Sequence, residues 1–181
     1  MSRRPALRAV VATVAALALA ACGGGGGPTS PPPPTQSLVF TPAGGSATGS
    51  VALLRSGAGA NTLVLEVRAQ EVADLYGVAF DLTYPASVLA FEGASEGELL
   101  RQGGIATSLQ VAEQSGQLVV GATRLGVVGG VSGSGTVLTL TFRAVAAGSG
   151  DIAFVDPTAV AANGSLIGGL EWLGGNVQVV R

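Results

Sequence analysis

The sequence predicts an all-β domain, a β-sandwich spanning residues 37–181, and three observations carry that prediction. From Ser37 onward, short runs rich in Val, Leu, Ala and Thr are separated by Gly, Pro, Asn and Ser, the residues of tight turns. Two of those runs, Thr62-Leu63-Val64-Leu65-Glu66-Val67-Arg68 and Val78-Ala79-Phe80-Asp81-Leu82-Thr83-Tyr84, place a large apolar residue at every second position, so one face is buried and the other wet. No stretch shows the 3.6-residue periodicity of an amphipathic helix for more than about two turns.

In chain order, strands are expected near 37–41, 49–55, 61–70, 75–84, 87–93, 107–113, 117–124, 135–146, 151–155 and 171–180. The run Thr136-Val137-Leu138-Thr139-Leu140-Thr141-Phe142 alternates like the first two, with threonine on its outer side. Several such strands at a spacing of roughly ten residues make a sandwich of two sheets. Phe80, Tyr84 and Phe142 fall on the apolar phase of their strands and are expected in the core, and Tyr76 shares that phase.

Before the domain the chain reads in three zones: a basic start (Arg3, Arg4, Arg8), an apolar run from Ala9 to Leu19, and the small pair Ala20-Ala21. This is the grammar of a secretion signal over residues 1–21. The apolar run is about a dozen residues, short of the roughly 20 that cross a bilayer as a helix. Leu19-Ala20-Ala21-Cys22 resembles the lipobox of bacterial lipoproteins. The resemblance implies cleavage after Ala21 and a covalent lipid on Cys22, hence a membrane anchor. Cys22 is the single cysteine of the chain, so the domain must be stable without a disulfide. Gly23 follows the lipidated position; an inner-membrane retention signal resembles an Asp there, so the outer membrane or cell surface is the expected location.

Residues 22–36 form a tether, Cys-Gly-Gly-Gly-Gly-Gly-Pro-Thr-Ser-Pro-Pro-Pro-Pro-Thr-Gln, flexible in its glycine half and stiffer in its proline half. Removing the leader takes Arg3, Arg4 and Arg8 with it. Six arginines, no lysine and eleven acids remain, a net charge near −5. That balance carries no basic footprint for nucleic acid. The chain has no histidine, which removes the commonest general base and the middle member of a Ser-His-Asp triad.

The middle of the domain carries a longer signature: Gly77-Val78-Ala79-Phe80-Asp81-Leu82-Thr83-Tyr84-Pro85-Ala86-Ser87-Val88-Leu89, then Phe91-Glu92-Gly93 and Gly97-Glu98-Leu99-Leu100. Later come Gly133-Ser134-Gly135, Leu138-Thr139-Leu140-Thr141-Phe142, Ala147-Gly148 and Gly175-Asn176-Val177-Gln178-Val179. In order and spacing this resembles the cohesin family across residues 37–181. The resemblance implies a jelly-roll, immunoglobulin-like sandwich of about nine strands, and a non-catalytic docking or scaffold role toward dockerin-like partner proteins in polysaccharide breakdown. Two departures stand out. Pro85 occupies the place of the Asp in the family's Tyr-Asp-Pro. Cellulosomal cohesins also place an Asn and an Asp on the outer side of this strand and an acid near the end of the sixth, where this chain has Gly77, Ala79 and Leu125. The resemblance thus implies a retained fold with an altered partner, read by a flat outer face of Gly, Ala and Thr on which Asp81 and Arg124 are scattered polar points.

Other chemistries have thinner support. Glu92, Glu96 and Glu98 are the one acidic cluster, beside an expected turn, where solvated acids are commoner than a glycosidase pair. Asp151, Asp156 and the same glutamates are the candidate calcium ligands, without any alternating Asp-x-Asp-x-Asp loop. No catalytic residue and no resident metal are assigned. Carbohydrate binding is the alternative function, and a passive structural envelope role a third. Trp172 is the residue that would stack on a sugar; the competing reading has it closing the sandwich core.

Overall fold

The computed structural model describes residues 37–44, 49–59 and 61–180, which lie within the compact unit Pro34–Arg181. The leader 1–21, the lipidation site Cys22 and the tether 22–36 lie outside the described residues. The described residues form ten strands and one 3-10 turn: β1 (Ser37–Pro42), β2 (Ser50–Ala58), β3 (Thr62–Thr83), β4 (Leu89–Glu96), the turn Gln102–Gly104, β5 (Thr107–Gln114), β6 (Gln117–Arg124), β7 (Val131–Ala144), β8 (Gly148–Ala161), β9 (Glu171–Leu173) and β10 (Gly175–Val180).

Strand β3 builds both layers of the sandwich. Its first half, 62–69, pairs with β2 and β7; its second, 75–83, pairs with β6 and β8. One layer therefore runs β9-β2-β3-β7-β4 and the other β1-β10-β8-β3-β6-β5. The first strand lies antiparallel to the last, Ser37 opposite Val180. Leu63, Leu65 and Val67 from one half, and Val78, Phe80 and Leu82 from the other, join a single core with Leu118, Leu138, Leu140 and Phe142. Each buried Leu or Phe contributes about 1.5–3 kcal/mol of transfer free energy, and this burial substitutes for the missing disulfide.

Three boundaries differ from the sequence expectation, each for a local reason. Runs 61–70 and 75–84 are one strand because the stretch between them stays bonded to β7: Ser134 Oγ accepts the Glu71 N–H and Ser132 Oγ the Asp74 N–H, both at 2.9 Å. Glu71 (φ 47°) and Asp74 (φ 53°) take left-handed backbone there, and the register shifts twice, the signature of bulges that bend a strand from one sheet into another. A further register shift between Leu75 and Gly77 takes Tyr76 off the apolar phase of Val78 and Phe80: Leu75 is fully buried instead, while Tyr76 is half-buried and donates its hydroxyl to Gly126 O at 2.7 Å. The expected strand 151–155 extends over Gly148–Ala161, with Pro157 accommodated at an irregularity where Asp156 has φ 45°. Finally, 171–180 divides at Gly174 into β9 and β10, which belong to different layers. The merger and this division offset each other, so the strands number ten among the described residues, as in the ranges read from the sequence and one more than the about nine that the family resemblance implied. A Cβ on Gly174 would stand 2.2 Å from Ile152 O, so the crossing admits glycine alone.

Tyr84 ends β3 and plugs one end of the core. Its ring packs on Phe142 at 5.2 Å between centroids, its N–H donates to Gly116 O at 2.8 Å, and its hydroxyl donates to Glu113 Oε1 at 2.5 Å. Pro85 then closes the following turn, its carbonyl accepting from both Val88 and Leu89 N–H at 2.9 Å. Burial, together with the hydrogen bond to the Glu113 carboxylate and its charge, pushes the phenol up from 10.0 to about 12, against a smaller opposing effect of the backbone at Gly116. A pKa raised by folding means that the folded state holds the proton more tightly than the unfolded chain. Its contribution to stability is complete below pH 10 and is lost as pH rises toward 12. Tyr84→Phe is expected to cost about 1 kcal/mol at neutral pH and to flatten the loss of stability across that alkaline window, measured by urea unfolding at stepped pH.

Candidate docking face

The outer side of β8-β3-β6-β5 is built by the phase that the core leaves over. With Val78, Phe80 and Leu82 turned inward, β3 presents Ala79, Asp81 and Thr83, and Gly77 lies buried in the same row. Opposite them on β6 stand Thr123, Gly121, Val119 and Gln117. On the other flank β8 sets Val160, Thr158, Val155 and Ala153, and beyond β6 the strand β5 continues each row with Ser108, Gln110, Ala112 and Gln114. Asp81 is the one charge in this grid of paired outward positions. Its Oδ2 accepts from Gln117 Nε2 at 2.6 Å. Beside it Val119 and Val155 stay 41% and 37% exposed. A shallow trough of about 220 Å³ runs over Gly77, Ala79 and Gly121, flanked by β8 on one side and β5 on the other.

Of the residues expected on this face, Gly77, Ala79 and Asp81 are there together, and Arg124 is not. Arg124 is 6% exposed and points into the protein, where Nη1 donates to Leu100 O at 2.5 Å and Nη2 to Gln102 O at 3.3 Å. The reason is the strand period: Leu118, Val120 and Ala122 are buried, so position 124 is inward too, and burial is tolerated because two carbonyls of the 99–102 segment take its Nη groups, leaving Nε unpaired among the described residues. Leu125 lies just past the end of β6, 46% exposed, with its N–H on Ala106 O. Val119 and Val155 were missed by sequence reasoning, although the alternation of Leu118, Val119 and Val120 marks Val119 as outward.

No family model matches the chain, and no curated protein sequence does. Among solved structures, a non-cellulosomal cohesin from the archaeon Archaeoglobus fulgidus superposes with a TM-score of 0.53 at 17% identity, over 78% of this chain and 89% of that one. The domain has a cohesin-like fold. Two further cohesins with the same fold are in complexes. One is a type II cohesin–X–dockerin complex from Acetivibrio cellulolyticus (TM-score 0.56, 14% identity, 76% of this chain and 94% of that one). The other is a type I cohesin–dockerin complex from Clostridium thermocellum (0.54, 12%, 64% and 82%).

Elsewhere on the cohesin-like domain three of the acidic candidates have structural partners. Glu92 Oε1 accepts from Arg143 Nε at 3.0 Å, and Glu98 Oε1 from the Thr136 N–H at 3.1 Å, while Glu96 is exposed at the rim. Asp151 Oδ1 accepts from Asn176 Nδ2 at 2.8 Å. Among the described residues no three His, Cys, Asp or Glu side chains converge as metal ligands. Trp172 is half-buried on β9 and packs between the layers, 5.8 Å from Phe80 and 5.1 Å from Phe154 by ring centroids. It closes the core, the reading that competed with sugar stacking.

Proposed function

We propose that this protein is a non-catalytic docking module, anchored to a membrane by lipid on Cys22 and held off it by the tether 22–36, whose cohesin-like domain binds a partner protein through the outer face of β8-β3-β6-β5. The observation that carries the reading is that face: four strands wide, built from small and uncharged side chains around one carboxylate, with Val119 and Val155 exposed. An apolar patch rimmed by polar groups suits protein association better than a charged ligand. The dockerin-bound state of solved cohesins of the same fold supports it. The anchor rests on the Leu19-Ala20-Ala21-Cys22 motif. A carbohydrate module would need an aromatic strip, and none of the sixteen paired outward positions of this face is aromatic.

The test expresses the full chain in its source organism. Cys22→Ser is expected to move the protein from the membrane pellet to the soluble fraction. Val119→Arg places a charge in the centre of the face and should weaken partner capture at least tenfold, about 1.4 kcal/mol, with the melting temperature unchanged. Retention on polysaccharide without capture of any protein would overturn the docking reading.

A further inference from the structure

Two glycines in the middle of paired strands call for a reason, since glycine weakens a strand and commonly marks a place where another molecule comes close. Gly77 has a local one: a Cβ there would stand 3.0 Å from Ala122 O and Thr123 Oγ1. Gly121 has none. A Cβ on it would meet nothing within 4 Å, and its φ is not positive, so neither crowding nor backbone requires glycine. What its absent side chain creates is the trough over Gly77, Ala79 and Gly121. At about 220 Å³ the trough is below the roughly 300–1,000 Å³ of sites that enclose a whole small ligand. It is the size of a side chain, and its floor is hydrocarbon and backbone.

Asp81 follows Ala79 by two residues on the same side of β3, about 7 Å along the strand. Gln117 holds its Oδ2, and Oδ1 has no protein partner among the described residues. An anion beside an apolar depression, on a face with no other paired charge, is complementary to a cation carried next to an apolar group. We infer that the trough receives one branched aliphatic side chain of the partner protein, and that Asp81 receives a lysine or arginine of the same segment about 7 Å away. The inference rests on the docking reading and names the chemistry of the partner at that site.

The probe is 5-methylhexylamine, whose isopropyl end and ammonium are separated by four methylenes and so can reach trough and carboxylate together, with 5-methylhexanoate as its charge-reversed counterpart. Each is titrated into the ¹⁵N-labelled full chain carrying Cys22→Ser. With eight heavy atoms, the amine is expected to bind with a Kd of order 1 mM, shifting the amides of Gly77, Ala79 and Gly121. Gly121→Leu fills the trough and should abolish those shifts, Asp81→Asn should weaken the amine several-fold, and 5-methylhexanoate should bind several-fold more weakly. Gly121→Leu should also lower partner capture at least tenfold. Undiminished shifts in Gly121→Leu, equal binding of amine and carboxylate, or no shift up to about 50 mM overturn the inference. If Val119→Arg abolishes capture but Gly121→Leu leaves it intact, the face docks and only the trough assignment falls. Unchanged capture in Val119→Arg overturns the docking reading itself.

Discussion

Arg124→Ala is expected to lower the unfolding free energy by about 3 kcal/mol, measured as a shift of the urea midpoint at constant slope. The substitution strips Leu100 and Gln102 carbonyls of their donors and leaves an alkyl-sized void beneath β6. Against this, it removes Nε, a buried donor that has no partner among the described residues, so part of the loss is returned. The orphaned Leu100 carbonyl is buried and costs about 1–3 kcal/mol, and with the void this outweighs the relief at Nε, while the Gln102 carbonyl, on an exposed residue, adds little. Arg124→Lys should recover only part of the stability, because one ammonium does not span the two acceptors that the planar guanidinium fork reaches. A variant that loses partner capture while keeping its urea midpoint would contradict the structural placement of Arg124.

Gly97→Ala is expected to destabilise by about 3 kcal/mol as well, at the upper end of overpacking effects. The added Cβ would lie 2.1 Å from Thr136 O and 2.5 Å from its carbonyl carbon, atoms of a backbone that cannot swing aside. At this position Gly97 N–H donates to Val137 O at 2.9 Å and Leu99 N–H to Thr136 O at 3.0 Å, so relieving the clash breaks the ladder that carries the 97–99 segment along β7. Gly121→Val, within β6, should leave stability within about 0.5 kcal/mol or raise it, because nothing opposes its side chain. Equal losses at the two positions would mean that crowding does not govern these glycines.

The layer assignment and the face were legible wherever a two-residue period ran undisturbed. Val78, Phe80 and Leu82 inward put Gly77, Ala79 and Asp81 in the opposite row, as the structure has them, although Gly77 itself is covered over. The same counting on β6 places Arg124 inside; its charge suggested the surface, and the two carbonyls that make burial tolerable come from a segment more than twenty residues earlier. Tyr76 was misplaced because an irregularity between Leu75 and Gly77 resets the phase, and nothing in Leu75-Tyr76-Gly77 fixes its position. The bonds that keep β3 continuous come from Ser132 and Ser134, some sixty residues downstream. The trough needed β3 and β6 in register before Gly121 stood opposite Ala79, information that lies in pairing and not in either segment alone.

The pairing of Ser37 with Val180 sets a schedule for assembly. β1 is the first strand of the domain to be synthesised, and its ladder partner β10 is the last. Until Gly175–Val180 exists, Leu38 and Phe40 have no neighbouring strand to bond with, and the edge of β8 that β10 covers stays open. The ladder that β10 forms with β1 and β8 is therefore the last of the domain's ladders that can close, whichever of the others pair before it.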